Sequence, residues 1–439
     1  MNKASKIPVF LLCFSMMNIG ASAARAGEYT NVIDAFDKDN GDPFDLNIRI
    51  GYERFQEKGD ITRETRNGTA AKDDYYPTYR FGTYKHVQNI LNLGMDVGLF
   101  RDVMLKFDVP VILSDDRSVS KRVGFASHSP AYFGENLKSP QRSGVDQLVT
   151  GLWWSILDQS RVAEYPTFTA FVEGRFAVGK PLEAACVGNL QRSKCDGDAG
   201  GISRNMNQVR LGLRFSKRYG LMEPFMGIDG MFGFYKDTDL TLGSNALNTM
   251  PPVEGTFDFG LELVPWEVPS DDRRFIIVVG GGATYHSEGR TYTPLFDALG
   301  TSNYFHNREV TGVEVNPADL NDDGITDGVH NDLKNSQEFR AMEAWNGMTD
   351  IENYAELFGR LDLAIQPAKY VKFKIGFKAG HQTQHFITKT DQCPLGGVKD
   401  GVCVKYNPGH RPQLDEPGTR FRAEKTFVWS LLFDAIAQF

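Results

Sequence analysis

The carboxyl-terminal segment, residues 427–439, alternates in polarity with a period of two residues and ends on a phenylalanine. One side of an extended ribbon is apolar throughout: Phe427, Trp429, Leu431, Phe433, Ala435, Ala437 and Phe439. The other side carries Ser430, Asp434 and Gln438, together with Val428, Leu432 and Ile436. Such a strand separates an apolar from a polar environment. An edge strand of a soluble β-sandwich is the alternative that this segment alone leaves open.

A final strand that ends on an aromatic residue resembles the assembly signal of bacterial outer-membrane β-barrels, whose strands face lipid on one side and the lumen on the other. The resemblance implies that the barrel-assembly machinery recognises Phe439 and that outer-membrane lipids surround the folded chain. Composition favours strands, because the mean hydropathy is −0.35 and no second apolar run of about 18 residues follows the amino terminus. A closed barrel would satisfy the backbone polar groups in hydrocarbon.

The amino terminus has the layout of a secretory signal. Lys3 and Lys6 precede an apolar run over residues 7–17, and small residues follow it. We predict cleavage after Ala26, so that residues 1–26 are a signal peptide and the mature chain begins at Gly27. A lipoprotein signal at Cys13 is disfavoured, because Leu12 stands where that motif requires a small residue.

Twelve alternating segments bounded by turn residues predict the strands. They cover residues 45–55, 78–98, 103–113, 146–158, 165–179, 206–218, 221–236, 253–267, 273–287, 353–366, 369–387 and 420–439. Only the facing of Trp153 and Trp154 stays open. We therefore expect an all-β fold, a transmembrane antiparallel up-and-down β-barrel of about 12 strands over residues 45–439, preceded by a periplasmic lead-in over residues 27–44.

The connections between these segments alternate in length. Five are short, at about residues 99–102, 159–164, 218–220, 267–272 and 367–368, and the others are long. Barrels with both termini in the periplasm have short periplasmic turns and long extracellular loops, whereas a soluble sandwich has no reason to sort its loops. The pattern predicts both termini on the periplasmic side.

Residues 98–110, 144–154 and 166–179 resemble an outer-membrane family described as components of the meta-pathway of phenol degradation, loosely similar to hydrophobic-substrate transporters. The resemblance covers about residues 91–180 and implies a barrel of that kind. The chain departs from the family at Gly144-Val145-Asp146, where Gly-x-Gly-Asp is usual, and at Ala177-Val178-Gly179, where a Pro-x-Gly strand end is usual.

Two close pairs of cysteines lie in predicted outer loops, Cys186 with Cys195 and Cys393 with Cys403. Of the three possible connectivities, these local pairs close short loops, and an oxidising envelope would preserve them as disulfides. A zinc site of four thiolates is the alternative, but the short C-x-x-C spacing is absent.

The largest predicted loop contains a motif, D-x-N-x-D-G-x-x-D, that resembles EF-hand-like and thrombospondin-type calcium loops. The resemblance implies that Ca2+ is the one candidate cofactor, with ligands Asp319, Asn321, Asp323 and Asp327. His330 occupies the twelfth position, where a bidentate acid belongs, so a solvated acidic turn is the alternative.

Ionisable residues of both signs fall on the predicted lumen side. The pore candidates are Arg49, Glu173, Arg175, Arg210, Arg214, Asp229, Asp258, Glu262, Arg360, Lys372, Lys374 and Lys378. The basic residues either guide anions or pair with neighbouring carboxylates as filling. We expect a passive channel for small solutes that favours anions. The alternative is a structural or surface-interaction barrel without conductance, serving adhesion or complex assembly.

Other classes of function are disfavoured. No local nucleophile motif is present, so we do not expect an enzyme. The net charge of −8 and the lack of a basic stripe argue against a nucleic-acid partner. The expected partners are membrane lipids, the assembly machinery and an unidentified small solute.

Overall fold

The computed structural model describes residues 27–33, 35, 45–65, 76–121, 138–184, 201–236, 248–300, 347–393, 398–399, 402–403, 407 and 409–439. The strands are β1 (Leu46–Glu64), β2 (Thr78–Phe100), β3 (Val103–Lys121), β4 (Arg142–Val145), β5 (Gln147–Leu157), β6 (Thr167–Ala177), β7 (Met206–Ser216), β8 (Met222–Tyr235), β9 (Glu254–Val268), β10 (Arg273–His286), β11 (Gly289–Thr291), β12 (Thr349–Ile351), β13 (Tyr354–Ala368), β14 (Val371–Gln382), β15 (His385–Phe386), β16 (Val398–Lys399), β17 (Val402–Cys403) and β18 (Phe421–Gln438). The helical segments are a 3-10 turn (Pro269–Asp271), α1 (Phe296–Gly300) and α2 (Pro412–Asp415). No helix in the described part of the chain is long and apolar enough to cross a membrane.

Twelve of the described strands close into one antiparallel barrel. They pair in the order β1-β2-β3-β5-β6-β7-β8-β9-β10-β13-β14-β18, and β18 pairs with β1. This seam runs from Asn47 opposite Gln438 to Arg63 opposite Phe421. Beyond the last strand, the Phe439 N–H donates to the Leu46 carbonyl at 2.9 Å. The predicted all-β barrel of twelve strands is confirmed.

The barrel wall is taller on one side than on the other. β1 and β3 have 19 residues, β2 has 23 and β18 has 18, whereas β6 and β7 have 11. A tilted strand of about 9 to 11 residues is enough to cross a bilayer. The four long strands therefore continue past the end of the barrel that carries the long connections, here called the long-loop end. The opposite end, where strands are joined across residues 101–102, 158–166, 217–221, 269–272 and 369–370, is the short-turn end.

Outward-facing residues of the wall are large and apolar. Along β7, for example, Leu211 and Leu213 are exposed by 49% and 45%, while Arg210 and Arg214, on either side of them, face the lumen. The unresolved facing on β5 is also decided, since Trp153 is buried and Trp154 is exposed. Because these residues surround a closed barrel, the exterior is an apolar surface suited to hydrocarbon.

The long connections fold back over the long-loop end as a cap. This loop cap comprises residues 287–300, 347–353, 383–393 and 409–420. Its apolar residues pack against the extended parts of β1, β2, β3 and β18 in one cluster: Leu295, Leu299, Ile351, Ile387 and Leu414 with Ile61, Phe81, Tyr84, Val119, Phe421 and Ala423. The strand ends there are covered on both faces, so Ile61, Thr62, Arg63 and Glu64 are all buried.

Buried ion pairs tie the loop cap to β4 and join two segments of the cap to each other. Arg142 donates to both carboxylate oxygens of Asp297, at 3.0 and 2.5 Å. Arg290, which is 1% exposed, donates to Asp350 at 3.2 Å. Burying a charge without a partner would be costly, so these pairs fix where the connections enter the barrel.

Candidate functional site

The lumen wall carries the predicted pore candidates, and most of them form ion pairs with residues on the adjacent strand or the next but one. Arg210 makes a bidentate contact with Asp229 at 2.7 and 2.9 Å, in the geometry that guanidinium and carboxylate favour. The further pairs are Arg49 with Asp108, Glu173 with Lys106 and Arg210, Lys374 with Asp362, and Lys378 with Glu356. Much of the predicted basic ladder is therefore neutralised within the wall.

Two adjoining cavities occupy the lumen. The cap cavity, of about 380 Å³, lies under the loop cap and is lined by Tyr84, His86, Tyr292, Tyr354 and His385 among others. The mid-lumen cavity, of about 430 Å³, is lined by Arg175, Arg210, Arg214, Asp258, Arg360 and Lys378 among others. Glu254 and His286 line both. Each volume falls in the range of small-molecule sites.

Aromatic rings pack against two of the arginines that line the mid-lumen cavity. The Arg214 guanidinium lies 4.5 Å from the centre of the Trp153 ring and 4.6 Å from that of Tyr29. Arg360 lies 4.9 Å from the centre of the Phe225 ring. Cations over aromatic faces are held by the quadrupole of the ring, which leaves the guanidinium edge available to an anion.

Two of these arginines form no ion pair among the described residues. Neither Arg175 nor Arg214 has a carboxylate within ion-pair distance, and the buried Nε of Arg175 has no hydrogen-bond partner in the described part of the chain. Arg360 has its nearest carboxylate, Asp258, at 3.7 Å. The mid-lumen cavity thus holds positive charge that the wall does not neutralise. The sequence identified these arginines as pore candidates but did not distinguish them from the arginines that form ion pairs.

A segment near the amino terminus, residues 27–33, lies inside the barrel at the short-turn end. The Tyr29 hydroxyl donates to Asp258 at 2.5 Å, and the Tyr29 ring stacks on Phe225 with centres 4.3 Å apart. Arg214 donates to the Tyr29 carbonyl at 2.9 Å. Val32 and Ile33 pack against Met104, Trp153 and Phe171. This N-terminal segment thus packs against Arg214 and Asp258, two residues that line the mid-lumen cavity.

Glu28 anchors the N-terminal segment to the wall. It accepts hydrogen bonds from Arg274, at 3.0 Å, and from Lys372. Burial alone would raise the pKa of Glu28, but the opposing Lys372 and Arg274 charges outweigh it and lower the pKa to about 2. Lys372, a predicted pore candidate, is therefore engaged by the chain's own carboxylate.

The cap cavity is lined by a stack of rings. The Tyr354 ring lies between His286 and His385, with centres 4.3 and 4.0 Å away and planes within 12° of parallel. His86 contacts the fully buried Asp115 at 3.0 Å. These surfaces suit a planar solute better than a hydrated ion. The stack was not predicted, because its members come from three separate strands.

Several predicted sites fall outside the described residues. The calcium candidates Asp319, Asn321, Asp323 and Asp327 lie there, as do Cys186 and Cys195, so these sites stay predictions. Cys393 is disulfide-bonded, but the side chain of Cys403 is outside the described residues, so the pairing of the two also stays a prediction. Among the described residues, no group of His, Cys, Asp and Glu is placed to hold a metal ion.

The contrast between the two faces of the wall decides where the chain resides. A closed barrel with an apolar exterior and an ion-paired polar interior fits the outer membrane of bacteria and no aqueous compartment. The protein is a bacterial outer-membrane β-barrel. Recognition of Phe439 by the assembly machinery and the sidedness of the termini remain predictions.

No protein-family model and no curated protein matches the sequence. Among solved structures, the chain is similar to an outer membrane channel from Pseudomonas putida F1, with 12% identity and a TM-score of 0.42, covering 95% of this chain and 100% of that one. It is also similar to a Pseudomonas aeruginosa FadL homologue, with 8% identity and a TM-score of 0.31, covering 90% of each chain. A deletion mutant of the TodX monoaromatic hydrocarbon channel has 8% identity and a TM-score of 0.30, again with 90% of each chain covered. Similarity at this level assigns neither solute nor mechanism.

Proposed function

We propose that this barrel is a passive channel for small organic anions, with planar carboxylates as the preferred solutes. The observation that carries the proposal is the mid-lumen cavity, in which Arg175 and Arg214 form no ion pair among the described residues and the Arg214 guanidinium lies 4.5 Å from the centre of the Trp153 ring. A guanidinium binds a carboxylate through two parallel N–H groups, and the rings offer faces to the apolar part of the same solute.

The two cavities supply a route through the lumen. They meet at Glu254 and His286, so a solute leaving the stack of rings under the loop cap would next reach the arginines. The N-terminal segment and the loop cap stand at the two ends. Conduction therefore requires either a passage beside them or their displacement, and the proposed channel is narrow and gated rather than open like a wide porin.

Selectivity measured in a planar bilayer tests the proposal. In a salt gradient the wild-type protein should favour anions, and the double variant Arg175→Gln/Arg214→Gln should reduce the anion-to-cation permeability ratio by roughly two- to threefold. Arg210→Gln should act less cleanly, because it also leaves Asp229 unpaired. Lys369→Gln is the matched control, since this exposed lysine lies in a turn outside the lumen.

A barrel without conductance is the second candidate, and occupation of both ends of the lumen favours it. The channel proposal fails if folded, inserted protein passes no current both as wild type and after deletion of residues 28–33. Benzoate, a planar carboxylate, should reduce the current by binding in the lumen. If it has no effect at any concentration, the protein is still a channel but planar carboxylates are not its solutes.

A further inference from the structure

Two buried carboxylates face each other at the short-turn end without enough positive charge between them. Glu223 on β8 lies directly opposite Glu262 on β9, and each is 1% exposed. Like charges in such a cross-strand pair repel, and burial increases the cost. A cation is therefore expected at this position.

The N-terminal segment brings its backbone to this pair. The Gly27 nitrogen donates to Glu223 Oε1 at 3.0 Å, and the Glu28 N–H donates to both oxygens of Glu262, at 3.1 and 2.9 Å. Ser216 also donates to Glu223 Oε1, at 2.5 Å. Glu223 Oε2, however, is buried and has no hydrogen-bond partner among the described residues.

With Glu28, Glu223 and Glu262 all ionised, this group of residues carries one negative charge in excess. The carboxylates are Glu28, Glu223 and Glu262, and the cations in contact with them among the described residues are Arg274 and Lys372. Arg218, which is nearby, is already paired with Glu267 at 2.6 Å. One further positive charge at the Gly27 nitrogen would neutralise the group.

We propose that the α-ammonium of Gly27, created when residues 1–26 are removed, is this missing cation and locks the N-terminal segment between Glu223 and Glu262. As part of an uncleaved chain, the Gly27 nitrogen is an uncharged amide with one N–H. Hydrolysis of the peptide bond after Ala26 consumes one water, leaves the carboxylate on Ala26, and gives Gly27 an amine that takes up a proton. The ammonium has three N–H donors, which suffice for Glu223 Oε1, the unpartnered Oε2 and a further acceptor.

The space around position 27 admits only glycine. A Cβ on Gly27 would lie 2.6 Å from Cδ of Glu223, and the Glu223 side chain is buried and held by Ser216. Any larger residue would push the ammonium away from the carboxylate. The inference rests on the predicted cleavage position and is independent of whether the barrel conducts.

Chemical labelling of the α-amine tests the inference. The protein is produced with its leader, purified folded from outer membranes, and treated with an amine-reactive reagent at pH 8; modification of the N-terminal peptide is then followed by mass spectrometry. At pH 8 a carboxylate partner that raises the pKa of the amine from about 8 to about 9 lowers the unprotonated, reactive fraction about fivefold, and burial slows the reaction further. We expect labelling at least about fivefold slower than in the denatured chain.

Variants separate a specific ion pair from general shielding. Glu223→Gln and Gly27→Ala should restore labelling towards the denatured rate while the protein still shifts on gels with heating, as a folded barrel does. Gly255→Ala, where an added Cβ meets nothing within 4 Å, and Asp271→Asn, an exposed carboxylate in a turn, are the matched controls and should leave labelling slow. A mature terminus other than Gly27, or wild-type labelling as fast as in the denatured chain, overturns the proposal.

Discussion

Asp415 in the loop cap has an environment that changes its ionisation. Its two oxygens accept the backbone N–H groups of Thr390, at 3.0 Å, and Arg411, at 2.7 Å. Burial raises the pKa of Asp415 to about 6, although the His410 charge and these hydrogen bonds act in the opposite direction. The neighbouring Asp350 adds to the increase.

This raised pKa predicts a cap that is more stable in mild acid. Since the folded state binds the proton more tightly, stability is highest below the unfolded pKa, about 3.9, and falls as the pH rises through about 6. The change from pH 4.5 to 7.5 should not exceed roughly 3 kcal/mol. Hydrogen exchange of residues 409–416, corrected for intrinsic rates, measures it. In Asp415→Asn the protection of these residues should not change with pH. Wild-type protection that increases with pH would contradict a raised pKa for Asp415.

For single residues, the sequence predicted which face of the barrel wall a side chain occupies, but not which other side chain it pairs with. Alternation predicted that Arg210 and Lys374 face the lumen, yet nothing local showed that Asp229 and Asp362 would pair with them. Trp153 and Trp154 could not be assigned, because the lumen of this barrel accepts a large ring: Trp153 stacks on Phe171 with centres 4.3 Å apart. An apolar residue therefore does not by itself mark the lipid face.

At the scale of single strands, substitutions along β13 can locate the bilayer midplane on the barrel wall. Leu361 lies near the middle of this 15-residue strand and is exposed by 44%. Leu361→Arg should destabilise the barrel by roughly 2 to 4 kcal/mol, because arginine is costly at the bilayer midplane.

Leu357→Arg is the matched control for Leu361→Arg. Leu357 faces outward on the same strand, about 13 Å away at 3.3 Å per residue, and should cost less because it is nearer the interface. Denaturant unfolding in lipid vesicles gives both values. Equal costs at the two positions would show that the midplane has been misplaced.

Strand positions were predictable to within about three residues at most ends, because the lipid band imposes alternation on every strand. The exceptions are informative. The prediction 369–387 ran past the end of β14, at Gln382, and included the separate strand β15. The predictions 45–55 and 103–113 stopped well before the ends of β1 and β3, at Glu64 and Lys121. The continuations lie beyond the expected lipid band, and the end of β1 is buried on both faces under the loop cap, so alternation is lost there. β4, β11, β12 and β15, and helices α1 and α2, are too short for any period to be detected.

For the whole molecule, the loop cap and the barrel wall should respond differently to loss of a disulfide. Cys393 is disulfide-bonded and lies in a connection remote from the short-turn end. Cys393→Ser should speed proteolysis of the segment around residues 390–409 severalfold, because a released loop regains chain entropy. The barrel itself should keep its heat-induced gel shift. Ser430→Ala on β18 is a conservative control, and unfolding of the whole barrel by the cysteine variant would refute this separation.

The architecture was predictable from the sequence, whereas the filling of the lumen was not. The two-residue alternation in polarity and the lengths of the connections can be read from short stretches of sequence, and they are enough to predict a closed sheet. The contact between Gly27 and Glu223 spans 196 residues and depends on the shape of the finished interior. The same holds for the loop cap, whose core combines residues from four cap segments and four strands.

The seam between β1 and β18 governs when this chain can fold. Because the first and last strands of the barrel are neighbours, the sheet cannot close until the final residues have emerged, and every shorter intermediate exposes two unpaired edges. Pairing across almost the whole length of the chain is slow to form. Closure is therefore expected only after β18 has been synthesised, and until then the chain must stay unfolded and shielded from aggregation.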